Sequence, residues 1–392
     1  MRRRRLQGAL LLLWLCLSGD AFAQTAFADR LAALEGVVSV DTLPNTVFGE
    51  KYLLRIRQEV DWEGRGAGTF LQRVIVGHIG ADRPTVIVTE GYGAKYALRE
   101  GYADEVATLL EANTVVVEHR YFLESRPDSL DWRYLTTRNA AADLHHVRTL
   151  LNRLYPEAWV STGISKGGQT TLLYRTWYPD DVVASVPYVA PLNCAVEDGR
   201  HEDFLRRVGT RWERNRIKAF RNEVLERRPA MVERLKAYAA DKELTFRITW
   251  DEVLDYCLLE YPFAFWQWGK QAEGIPARSA DDETVFNHLM NVVGADYFAA
   301  DTAMIPFFVQ AATEMGYYGY DTEGLTGLSI PHAEGYLPRV MLPDSIADGL
   351  NFSAAAMYDT VYRFLENNDP RMILVYGEVD PWSAARVPDF SG

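Results

Sequence analysis

Hydrophobic positions alternate with polar ones at a period of two over residues 51–60 and 70–79, which predicts two early, half-buried strands. Residues 85–89 are instead an unbroken β-branched run and 113–117 a second buried-type run, the pattern of strands covered on both faces. Helical spacing follows each of them, over 101–110 and 140–154. A strand at 159–162, a helix at 169–178 and a strand at 182–189 continue the alternation. Strands that alternate with helices imply βαβ crossovers and a mostly parallel sheet.

The pattern changes after Cys194. From 197 to about 342 the chain reads as charged and aromatic helices, for example 204–226 and 256–268, with no buried-type strand. A helix over 354–364 and an apolar strand at 372–376 then resume the first pattern. The expected organisation is a leader at 1–23, a sheet domain at 24–195, a helical cap at 196–343 and the sheet domain again at 344–392.

The leader is expected from Arg2 to Arg5, the apolar Leu10 to Leu17 and the small-residue site Ala21-Phe22-Ala23, with cleavage before Gln24. Such an apolar run is shorter than the roughly 20 residues of a membrane span, and no later stretch reaches that length, so no stable membrane insertion is expected after cleavage. Export follows as the expected destination. The formal charge is −13, and loss of the arginine-rich leader makes the mature chain more acidic still. That argues against nucleic acid as a partner, which needs basic patches. The basic residues between Arg206 and Arg228 are interleaved with Glu213, Glu223 and Glu226, as on a solvated helix face.

Cys194 and Cys257 remain after the leader, either as free thiols or as a pair in an oxidising compartment. Two cysteines do not make a metal site, and His145-His146, adjacent on a helix, do not share a face; neither metal nor organic cofactor is expected. Asn351-Phe352-Ser353 matches a glycosylation acceptor. The aromatic set Tyr261, Phe263, Phe265, Trp266 and Trp268 reads as cap core or as the wall of an apolar pocket.

The chemistry concentrates in Gly163-Ile164-Ser165-Lys166-Gly167-Gly168, between a predicted strand and a predicted helix. In that context G-x-S-x-G is a nucleophile elbow: a strained turn lifts the serine above the sheet end, and glycines let strand and helix crowd together. Ser165 is the candidate nucleophile and the N–H of Lys166 an oxyanion donor. A second donor is expected from Gly91 or Tyr92 in the loop Glu90-Gly91-Tyr92-Gly93, with the Tyr92 hydroxyl as a third contributor.

In this α/β-hydrolase arrangement the acid follows a late strand, which selects Asp380 in Tyr376-Gly377-Glu378-Val379-Asp380-Pro381-Trp382, with Glu378 as rival. A histidine should follow the acid. The seven histidines are His78, His119, His145, His146, His201, His288 and His332, and all precede Asp380. His332 is the best internal substitute; otherwise the chain is expected to stop short of a histidine loop. At the rim, Glu90 and Glu118 are candidates to hold a substrate amine, and an ion pair between Glu118 and Arg120 is the structural alternative.

Taken as a set, the elbow, Glu118-His119-Arg120-Tyr121-Phe122 and the stretch around Asp380 resemble the PS-10 serine peptidases, relatives of the prolyl carboxypeptidase group. Tyr178-Pro179-Asp180-Asp181-Val182 and Pro187-Tyr188-Val189-Ala190-Pro191 extend the likeness. The resemblance implies a capped hydrolase that removes short N-terminal peptides with a preference for proline, with Ser165 as nucleophile and Asp380 as triad acid. Leu123 stands where that family's pattern has glycine. The alternatives are a carboxylic-ester hydrolase on the same fold, and a peptide-binding chain without turnover.

Overall fold

The computed structural model describes residues 27–64, 66–330, 332–351, 355–368 and 370–389. The leader and the middle and end of the Asn351-Phe352-Ser353 acceptor lie outside them. Seven strands form one sheet: β1 (Val37–Thr42), β2 (Glu50–Glu59), β3 (Thr69–His78), β4 (Thr85–Thr89), β5 (Asn113–Val117), β6 (Trp159–Ile164) and β7 (Ala184–Tyr188). Their spatial order is β1-β2-β3-β5-β4-β6-β7. The first three and β5 pair antiparallel; β5, β4, β6 and β7 are parallel. This order, with a serine-bearing turn after β6, is that of an α/β hydrolase with one additional N-terminal strand.

The two-sided runs behave as their composition demands. Ile87, Val115 and Val117 face one apolar cluster with Leu144, Val147 and Tyr174. Val86, Val88 and Val116 face the other with Val106 and Ala107. Each β4 or β5 residue therefore buries on one face or the other, and the strands fix the sheet centre. Helices α1 (Glu105–Leu109), α2 (Thr137–Leu151) and α3 (Lys166–Trp177) connect or cover these strands.

Several expectations need correction. β1 was not anticipated, because Val37–Thr42 is an edge strand with mixed exposure and a bulge between Val37 and Ser39. The strand expected at 372–376 is reduced to two parallel bridges, Ser185 with Met372 and Tyr188 with Val375. It is paired on one side only, and Ile373 is 66% exposed. The helix expected over 204–226 is broken: α4 (Arg200–Leu205) and α5 (Arg211–Glu226) flank Gly209 at φ 63°, and Thr210 starts α5 with a capping box to Glu213.

Most of the rest of 196–343 is helical, with α6 (Arg228–Asp241), α7 (Trp250–Gln267), α8 (Asp282–Val292) and α9 (Ile305–Gln310), while 316–330 is coil and turn; no strand of the sheet arises there among the described residues. The region shares one hydrophobic cluster with the sheet domain, since Leu172, Leu173, Leu192 and Trp382 pack with Phe263, Phe308 and Tyr318. α10 (Asp344–Ala347) and α11 (Ala355–Asn367) lead back to the sheet. Cys194 is an exposed free thiol and Cys257 a buried one.

Candidate active site

Ser165 occupies the single residue between β6 and α3. Its backbone sits at φ 58°, ψ −122°, a costly conformation for a residue with a Cβ and the mark of a nucleophile elbow. Two features hold it there. Its N–H donates to the Tyr188 carbonyl at 2.9 Å, tying the turn to β7. Gly163 lets the helix close on the strand: a Cβ at that position would lie 2.4 Å from the Gly167 carbonyl oxygen and 2.7 Å from that of Thr89. The turn leaves Ile164 69% exposed, and Ser165 is half-buried beside it. Serine at a helix N-cap ordinarily spends its hydroxyl on the first turn. Here the hydroxyl makes no capping bond. Its polar neighbour is the Tyr92 side chain.

The loop after β4 packs directly against this turn. A Cβ on Gly91 would lie 2.6 Å from both Cβ and Cγ of Lys166 and 2.8 Å from the Gly167 nitrogen, so only glycine fits. The Lys166 side chain is buried, donates through Nζ to the Gly91 carbonyl at 2.7 Å, and lies over the rings of Tyr92 and Phe122. Burial holds its ammonium well below the usual lysine range. The side chain thus braces the loop, while the Lys166 backbone N–H opens the first turn of α3, where negative charge is favoured.

Glu90 accepts from the Tyr96 hydroxyl. Burial pushes its carboxyl up to about 7, against the pull of Tyr96, the Lys166 charge and the Gly91 N–H. A cavity of about 380 Å³ opens beside the elbow, with Glu90, Tyr96, Tyr102, Ile164 and Tyr188 in its wall.

Asp380 lies on the same sheet edge as Ser165. β6, β7 and residues 372–375 run parallel, Ile164 pairs with Tyr188, and Tyr188 pairs with Val375. The chain then leaves the sheet through Tyr376, as it leaves β6 through Ser165. Asp380 is half-buried, accepts from the Trp382 N–H at 3.0 Å, and has its carboxyl raised by burial. Glu378, the rival, is exposed.

His201 was missed as a partner of this loop. It is fully buried, its Nδ1–H donates to the Pro381 carbonyl at 3.0 Å, and its Nε2 lies 2.9 Å from Asn193 Oδ1. Burial lowers its pKa to about 4. No sequence signal marks a contact 180 residues away.

Glu118 is turned inward and 0% exposed. It accepts from the Ala94 N–H at 2.9 Å and the Ser125 hydroxyl at 2.8 Å, and faces Arg73 at 3.7 Å. The ion pair considered with Arg120 is not formed; Arg120 binds Asp143 through Nε at 2.7 Å and Nη2 at 2.8 Å. These bonds give Glu118 a part in fixing the rim, and a substrate amine could reach it only by displacing them. Leu123 adopts a left-handed φ of 46° and packs where a Gly93 side chain would sit.

Among the described residues no histidine is hydrogen-bonded to Ser165 or Asp380. His332 is exposed and bonds the Glu334 carbonyl, His119 bonds the Arg120 carbonyl, and His145 pairs with Asp181. No cluster of potential metal ligands occurs among the described residues. No described helix is long and apolar enough to cross a membrane.

The family described as PS-10 peptidase S37 matches residues 23–390. A prolyl tri/tetrapeptidyl aminopeptidase of Streptomyces mobaraensis is 30% identical over 403 residues, covering 97% of this chain and 81% of that protein. A lysosomal Pro-X carboxypeptidase of Mus musculus is 31% identical over 203 residues, covering 47% of this chain and 41% of that protein. Among solved structures, an arylesterase aligns at 12% identity with a TM-score of 0.29 over 47% of this chain and 56% of its own, too partial a likeness to carry weight.

Proposed function

This chain belongs to the PS-10 peptidase S37 family and is a serine-type peptidase, and from that premise we propose that it is an exported exopeptidase that releases short peptides from N-termini, with a preference for proline. The observation that carries the mechanism is the uncapped Ser165 hydroxyl at φ 58° on the edge that also bears Asp380. Ser165 attacks the scissile carbonyl, an acyl-enzyme forms, and water releases the product. The Lys166 N–H is the first oxyanion donor. The N–H of Gly91 or Tyr92 is the second. The Tyr92 hydroxyl assists the nucleophile. Asp380 is the acid placed to orient a histidine base, a role that no described histidine fills. Glu90, poised to ionise near neutrality beside the elbow cavity, receives the substrate's ammonium. Export rests on the leader pattern before Gln24.

A second reading, peptide binding without turnover, is favoured by one observation: no described histidine is hydrogen-bonded to Ser165 or Asp380. One experiment separates the readings. The chain is incubated with a proline-ended tripeptide amide, its N-acetylated form and a short acyl ester. Hydrolysis of the free-amine peptide alone supports the exopeptidase. Preference for the ester shifts the assignment to an esterase, and binding of the peptide without cleavage or fluorophosphonate labelling of Ser165 supports the second reading.

A further inference from the structure

Within the cap, Arg221 on α5 is 8% exposed, and its Nε and Nη2 are shielded from solvent without a hydrogen-bond partner among the described residues. A buried guanidinium lacking its partners is costly, because burial removes hydration that nothing replaces. Its pKa falls only to about 10, so it remains charged at neutral pH. Asp321 is the acid that acts on it, and that carboxylate is already held by Arg206 through Nε at 3.0 Å and Nη2 at 2.9 Å.

Arg221 lines a cavity of about 320 Å³ whose wall includes Leu259, Pro262, Phe263, Tyr318 and Tyr320. Both tyrosine hydroxyls donate to the buried Glu260 at 2.9 Å, which leaves their rings as cavity wall. Phe263 stacks on Tyr318 at 3.8 Å, and both rings pack against Trp382, two residues beyond Asp380. The cavity therefore offers aromatic surface, with the carboxylates of Glu202, Asp321 and Glu323 also in its wall, an unpaired planar donor fork just beneath its surface, and a single layer of side chains between itself and the loop of Asp380.

We propose that this cap cavity is a second binding site, which takes a small organic carboxylate with an apolar body, the carboxylate on the Arg221 fork and the body against Phe263 and Pro262. Arginine matches carboxylate in a bidentate geometry, and a pocket of this size accommodates a short ligand. A short peptide with a free C-terminus is the natural occupant; that choice rests on the peptidase reading, whereas the carboxylate rests on Arg221 alone.

The test uses the Ser165→Ala protein, so that nothing is cleaved, and calorimetric titration with phenylacetate, the tripeptide Ala-Ala-Pro and that tripeptide's C-terminal amide. Binding of phenylacetate that Arg221→Met reduces at least tenfold and Arg221→Lys only partly supports the site. Tighter binding of the tripeptide acid than of its amide, by tenfold or more and dependent on Arg221, adds the peptide as occupant. Arg221-dependent phenylacetate binding with no binding of either tripeptide keeps the site and counts against the peptidase reading. Phenylacetate binding that is absent, or equal in wild type and both variants, overturns the proposal. So does a fall in the melting temperature of ligand-free Arg221→Lys and Arg221→Met alike, which would show that Arg221 is structurally partnered.

Discussion

The Nδ1–H of His201 donates to the carbonyl of Pro381 at 3.0 Å, fastening helix α4 to the loop that presents Asp380. The imidazole also lies edge-on against Trp382, so α4 and the Asp380 loop are joined by a buried polar bond set in an aromatic layer.

Replacing His201 by Leu strands the Pro381 carbonyl and is expected to cost about 2–3 kcal/mol. The wild type should also lose stability on acidification. The folded pKa is lowered to about 4 and the unfolded imidazole titrates near 6.5, so the unfolded chain takes up a proton first as pH falls. Stability contributed by this group is full above about 6.5 and declines at about 1.4 kcal/mol per pH unit toward 4. Urea denaturation at pH 7 and pH 5 checks this; an equal pH dependence in wild type and His201→Leu would refute it.

Glu260 has the opposite sign. Burial raises its carboxyl to about 8, against the ordinary 4.5. Its contribution is full below about 4.5 and is lost as pH rises through 8, where the carboxylate must ionise inside the cap. Glu260→Gln keeps the acceptor for Tyr318 and Tyr320, and is expected to flatten the alkaline loss of stability between pH 6 and pH 9. Thermal melts across that range report the result, and a variant as pH-sensitive as the parent would count against it.

At the elbow, Ser165→Ala is expected to abolish hydrolysis and fluorophosphonate labelling. Tyr92→Phe removes the hydroxyl that meets Ser165 and should lower kcat by about 10–100-fold with little change in KM, a loss of about 1.4–2.7 kcal/mol of transition-state stabilisation. A rise in KM alone would make Tyr92 a binding residue.

Leu123 carries a left-handed backbone that costs a non-glycine residue about 1–2 kcal/mol. Leu123→Gly should therefore fall within about 1 kcal/mol of the parent despite the lost side chain, whereas β-branched Leu123→Val should be destabilised by about 1–2 kcal/mol. Equal melting temperatures for the parent and Leu123→Val would show that the turn relaxes freely.

By itself the sequence determined what neighbouring residues can enforce. The β-branched runs of β4 and β5 could only be central strands, because no solvent face is written into them. The spacing of Gly163, Ser165 and Gly167 between an apolar run and a helix could be read as a strained turn, since strand, turn and helix are all local. That Asp380 follows the apolar run 372–376 was legible for the same reason, since run and loop are adjacent in the chain. Tertiary structure alone decided which charge meets which: Glu118 faces Arg73, Arg120 takes Asp143, and His201 reaches Pro381. Arg221, indistinguishable in the chain from the exposed basic residues around it, is sealed into a cavity only because α5 packs that face against α7. Pairings of this kind carry no periodicity and no fixed spacing. Buried charges take whatever partner the packed helices bring within hydrogen-bond reach, because in the low-dielectric interior an unmatched group costs more than any local preference can offset.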